Sequence, residues 1–94
     1  MNVVWSAAAV KQLQEAVDYL QGESSEGAIS TRRRILETVR QVGQMPRCGR
    51  IGRVEGTRQA AVPRSSYIVI YQLTARAVEV LGIWHGARQW PVYF

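Results

Sequence analysis

The chain is poor in three residue types that often carry chemistry. Its 94 residues include one cysteine (Cys48), one histidine (His85) and one lysine (Lys11). One cysteine forms no internal disulfide, which fits a reducing compartment. No His, Cys, Asp and Glu cluster has metal-ligand spacing, so no metal or other cofactor is expected. No G-x-x-x-x-G-K-[ST] run is present, which removes the phosphate-binding loop of that type. Apolar runs stay well short of the ~20 residues that span a membrane. The first residues lack a basic segment leading into an apolar stretch, and the expected location is the cytoplasm.

What is present describes one folded domain over residues 1–94, with 47% hydrophobic and 20% charged residues. The net charge of +5 is unevenly spread. Residues 1–31 set one lysine against four carboxylates, a balance of −3; residues 32–94 set eleven arginines against three glutamates, a balance of +8. Arginine suits bidentate contact with phosphate or carboxylate, so RNA, DNA or an acidic protein is the expected partner class.

Asn2-Val3-Val4-Trp5 reads as a short strand and Ser6 as a helix N-cap. Val10, Leu13, Val17 and Leu20, with Ala9 and Ala16 beside them, make one apolar stripe that Gly22 ends. A second helix is expected over 26–41, with Ile29, Leu36, Val39 and Val42 inward and Ile35 alongside. Gly43 and Pro46 stop it. Arg32-Arg33-Arg34 fans over roughly 200° of that helix, as a solvated face or a contact with an acidic partner.

Residues 45–53 form a Gly/Pro-punctuated loop bearing Arg47, Arg50 and Arg53. The period then changes to two. Strands are expected over 56–62, over Tyr67–Leu73 and over 77–84, the last two as a hairpin. Tyr67–Leu73 is apolar on both faces and therefore central. The fold class is α+β, in the order β-α-α-β-β-β. An antiparallel helix hairpin packs on one face of a mostly antiparallel twisted sheet. Trp5, Trp84, Tyr67 and Tyr71 read first as core residues and second as base-stacking platforms.

The series Gly49-Arg50, Gly56-Thr57-Arg58, Tyr67-x-x-x-Tyr71, His85-Gly86-Ala87-Arg88 and Trp90-Pro91 resembles the RelE/ParE superfamily of small toxins. The likeness covers essentially the whole chain. It implies growth arrest by the free toxin, and neutralisation by a cognate antitoxin in a toxin–antitoxin hetero-oligomer. It also implies one of two targets. RelE-like members cut mRNA on the ribosome; ParE-like members poison DNA gyrase.

RNA cleavage needs a base, a cation and an acid. By resemblance Arg58 and Arg88 fall near catalytic arginines and Tyr93 near a functional C-terminal aromatic. His85 suits proton transfer near neutral pH, with Glu55 as a further carboxylate. The RelE-like nucleases carry lysines in their middle strands, which this chain lacks, and arginine is a poor general base. The sequence therefore favours the ParE-like branch. On it, Arg50, Arg53, Arg58, Arg88 and Trp90 are the expected contacts to target or antitoxin. Arg58 has an alternative use, pairing with Glu79 or an antitoxin carboxylate, and His85 has one as a strand-end cap. A small basic nucleic-acid-binding module is a third reading. An exposed sheet edge or an apolar groove would receive an antitoxin segment as a strand or a helix.

Overall fold

The strand Tyr67–Leu73 is the middle of a five-stranded sheet, as its apolar character on both faces predicts. A computed structural model describes residues 1–86 of the chain. The elements are β1 (Asn2–Trp5), α1 (Ala7–Gln21), α2 (Ser25–Gln44), β2 (Arg50–Ile51), β3 (Thr57–Ala61), β4 (Tyr67–Leu73) and β5 (Ala77–His85). The sheet order is β1-β5-β4-β3-β2. β1 runs parallel to β5 and every other pairing is antiparallel. The α+β class, the helix hairpin and the mostly antiparallel sheet agree with the expected architecture. One strand is additional. Arg50 and Ile51 pair with Gln59 and Arg58, so the expected loop over 45–53 contains a two-residue β2.

Both helices begin on a serine. The Ser6 hydroxyl accepts from Ala9 N at 3.0 Å and the Ser24 hydroxyl from Gly27 N at 3.1 Å. On α1 the deepest residues are Ala9 and Ala16, whose small side chains let the helix lie close to the sheet, while Val10 is 54% exposed. On α2 the inward line is Ala28, Ile35, Thr38, Val39 and Val42, and Ile29 is 57% exposed. Leu13 and Leu20 beside Ala9 and Ala16, and Ile35, Val39 and Val42, pack in the core as expected, whereas Val10 and Ile29 lie outside it and Ala28 and Thr38 are buried in addition. Arg32 and Arg33 are exposed and Arg34 half-buried, as a three-residue fan requires.

The helices meet β4 and β5 through Val69, Tyr71, Val78, Val80 and Ile83, which with Ile35, Val39 and Val42 form one core. By alternation, the cross-strand pairs Ile68 with Trp84, Ile70 with Gly82 and Gln72 with Glu79 face away from the helices. A bulge opposite Ile70 and Tyr71 leaves Leu81 without a cross-strand partner.

Helix α2 does not stop at Gly43. That glycine is buried inside the helix, and a Cβ there would lie 2.8 Å from Val3 Cγ2. The glycine is needed for contact with β1, not for a turn. Gly43→Ala should therefore destabilise the fold by about 1–3 kcal/mol despite alanine's better helix propensity. A urea midpoint equal to or above wild type would show that β1 gives way freely.

Candidate functional site

The arginine-bearing loop between α2 and β3 is fixed from below by one phenol. Tyr71, fully buried on β4, donates to Pro46 O at 2.8 Å and accepts from Gly49 N at 2.9 Å. Burial pushes the Tyr71 phenol above its ordinary value, and the Gly49 N–H partly offsets this. Gly49 permits the approach: a Cβ there would sit 2.5 Å from the Tyr71 hydroxyl and 2.6 Å from Gln59 O. Any larger residue would push the loop off the sheet.

Arg58 fixes the same loop from the side. Its Nη1 donates to Gly49 O at 2.7 Å, with Arg47 O further away at 3.4 Å. Arg58 and Tyr71 are cross-strand partners, so one edge of β3 and β4 converges on one stretch of backbone. The alternative pairing of Arg58 with Glu79 is not formed. Glu79 accepts from Gln72 Nε2 at 2.7 Å on the opposite face. Arg50 reaches Gln59 Oε1 at 3.4 Å. Arg47, Arg50, Arg53 and Glu55 are exposed around this clamp, as is the free thiol of Cys48. The result is a basic rim held in place by buried and half-buried groups.

Two concavities flank the rim. A groove of about 550 Å³ is lined by Met45, Pro46, Arg47, Cys48, Leu73 and the N-terminal Met1. A cleft of about 490 Å³ lies between α2 and the outer edge of β3, with Thr38, Gln41, Arg50 and Gln59 on its walls.

His85 lies elsewhere. It ends β5, is half-buried, and meets the Tyr67 ring edge-on with centroids 5.3 Å apart. Its cross-strand partner Tyr67 is four residues along β4 from Tyr71, the partner of Arg58. Four residues amount to about 13 Å along a strand, and two strand spacings add about 10 Å across the sheet. The sheet thus places Arg58 and His85 roughly 16 Å apart at the backbone. Arg88, Trp90 and Tyr93 lie outside the described residues. Among the described residues no group of three His, Cys, Asp or Glu side chains could hold a metal ion, and no helix is long and apolar enough to cross a membrane.

Tyr71 and Gly49 are the residues that sequence reasoning did not assign to the site. Their signal is a tyrosine in a strand that is otherwise apolar on both faces. Such a hydroxyl must find a partner where the strand ends near a loop.

A helix hairpin on a mixed sheet, with a clamped basic loop at one end, defines a small α+β domain. Residues 3–90 match the family described as ParE toxin of type II toxin–antitoxin system, parDE. Y4kP, named as a candidate toxin of Sinorhizobium fredii, is 31% identical over 90 residues, spanning 96% of this chain and 93% of that protein. A solved structure described as a chromosomal ParDE TA system from P. aeruginosa superposes with a TM-score of 0.80 at 21% identity. It covers 88% of this chain and 92% of that one, a likeness of fold. The chain belongs to the ParE family of toxins from type II toxin–antitoxin systems. Membership implies an antitoxin as partner.

Proposed function

We propose that the free protein arrests growth by binding DNA gyrase in the cytoplasm, and that its antitoxin prevents this by covering the toxin surface. One observation carries the choice of a binding mechanism over cleavage. Arg58 is bonded to backbone carbonyls at one end of the sheet and His85 is stacked edge-on against Tyr67 at the other. An acid–base reaction on one phosphodiester needs both within a few ångströms of the same atoms. The basic rim of Arg47, Arg50 and Arg53 fits an acidic protein surface without any reacting group. Family membership supports the same target class.

Purified toxin should inhibit gyrase supercoiling at stoichiometric concentration or trap gyrase-cleaved DNA, and prior addition of antitoxin should abolish the effect. Unchanged supercoiling at large excess of toxin would overturn this reading. Cutting of a message on translating ribosomes, seen by toeprinting, would replace it with the RelE-like endonuclease. Salt-steep binding to bare DNA or RNA, with neither effect, would point to a nucleic-acid-binding module.

A further inference from the structure

We infer that Met1, Met45 and Cys48 form a binding site for a soft monovalent metal ion, Cu(I), in the groove beside the basic rim. The inference stands apart from the identity of the toxin's target.

The chain contains two methionines and one cysteine, and all three line the same groove of about 550 Å³. None belongs to the core. Met1 is 55% exposed and Met45 67% exposed, and the Cys48 thiol is free and exposed. Methionine is ordinarily a buried gap-filler, and core packing accounts for neither of these. Thioethers lie outside the His, Cys, Asp and Glu pattern, so metal-ligand spacing in the sequence does not mark them.

Two separate parts of the chain bring the sulfurs together. Met45 caps α2, its N–H donating to Gln41 O at 2.8 Å, and Cys48 N donates back to Met45 O at 2.9 Å. That bond closes a four-residue turn, which holds its first and last Cα atoms within about 7 Å. Tyr71 fixes the turn from beneath through Pro46 O and Gly49 N. Met1 comes in from β1. Its N donates to Gly43 O at 2.8 Å, two residues before Met45, where α2 packs against Val3. Methionine side chains turn about three bonds, so from these anchors both thioethers reach toward Cys48.

The lining chemistry selects the metal. Thiolate and thioether sulfurs are soft ligands that favour Cu(I). The other walls are Pro46, Arg47, Leu73 and Thr74, with no imidazole or carboxylate. Zn(II), Ca(II) and Mg(II) therefore lack their usual donors. Charge points the same way. One thiolate and one Cu(I) sum to zero, so the pair sits against apolar walls without an uncompensated charge. A divalent ion would leave a net positive charge close to the Arg47 guanidinium. Binding is an exchange: the Cys48 S–H gives its proton to solvent, and the electron pair so freed bonds Cu(I) with no change in oxidation state.

The probe is Cu(I), supplied anaerobically from a coloured chelator complex to the full chain, with Met1 verified by intact mass. Wild type should withdraw one equivalent without forming metal-dependent dimers. Cys48→Ser should lower the affinity by at least about a hundredfold and Met45→Leu by at least about tenfold, and wild type should not retain Zn(II). Both positions are exposed, so the metal-free variants should melt near wild type. Loading should raise the wild-type melting temperature, because the three sulfurs meet only in the folded chain. X-ray absorption at the copper edge of selenomethionine-labelled protein reads the thioethers directly. It should show two Cu–Se neighbours in wild type and one in Met45→Leu, supplied by Met1.

Binding that survives Met45→Leu unchanged, with no Cu–Se neighbour, would reduce the site to a reactive surface thiol and overturn the inference. So would one Cu(I) shared between two chains, or a melting temperature unmoved by saturating metal. No withdrawal of Cu(I) from the chelator would leave the two methionines as a bare apolar patch, which also overturns it.

Discussion

Tyr71→Phe should lower the free energy of unfolding by about 2–4 kcal/mol, although it removes a single oxygen atom. The phenol serves both a donor, Gly49 N–H, and an acceptor, Pro46 C=O, beneath the loop. Phenylalanine keeps the core volume and leaves both groups without their partner, each costing about 1–3 kcal/mol to the extent that water cannot reach it. In a domain of this size such a loss corresponds to about 10 °C or more in melting temperature. A change below about 1 kcal/mol would mean that water replaces the phenol and that the clamp contributes little.

The pH dependence has a definite sign. Burial raises the folded-state pKa of Tyr71 above the ordinary value of a tyrosine phenol, about 10. The folded protein therefore holds this proton more tightly than the unfolded chain does. The associated stability is fully present below the unfolded pKa and is lost as pH rises from there through the folded one. Wild type should lose stability above pH ~10 more steeply than Tyr71→Phe, measured by urea unfolding across that limit. Equal slopes would contradict the assigned direction.

The parts of this fold that were legible in the sequence are those whose cause is local. Ser6 announces α1 because a hydroxyl before a helix can cap it, and β4 announces itself because seven residues without a polar face must be buried on both sides. The parts that were not legible have causes far away in the chain. Gly43 reads as a stop signal, yet it is a contact with Val3 across 40 positions, and the helix runs through it. β2 is two residues long and has no period to detect; only Gln59 and Arg58 beside it make it a strand. Val10 and Ile29 looked inward because they are large. Ala9 and Ala28, each one position earlier, are fully buried instead. In the candidate site the arginine-rich loop was evident from composition. The attachment of Arg58 was not, because its partners are backbone carbonyls, which no sequence pattern marks.

That attachment makes Arg58 the sharpest test of how the toxin works. On the binding mechanism Arg58→Ala should raise the toxin concentration needed for half-maximal gyrase inhibition at least tenfold, about 1.4 kcal/mol or more. The loss comes through geometry: without Nη1 on Gly49 O, the rim bearing Arg47, Arg50 and Arg53 is no longer fixed where the target meets it. Arg58→Lys should recover only part of the activity, since an ammonium on a flexible stem replaces a planar guanidinium in holding Gly49 O. His85→Ala should behave differently. It removes the edge-on contact with Tyr67, worth about 0.5–1.5 kcal/mol of stability, and should leave gyrase inhibition within about threefold of wild type. A cleavage mechanism predicts another pattern. Removing its acid or base would reduce message cutting by about 10²–10⁴, so His85→Ala would be at least as damaging as Arg58→Ala. The ratio of the two variants' activities, compared at equal folded concentration, therefore separates a surface that binds from a site that reacts.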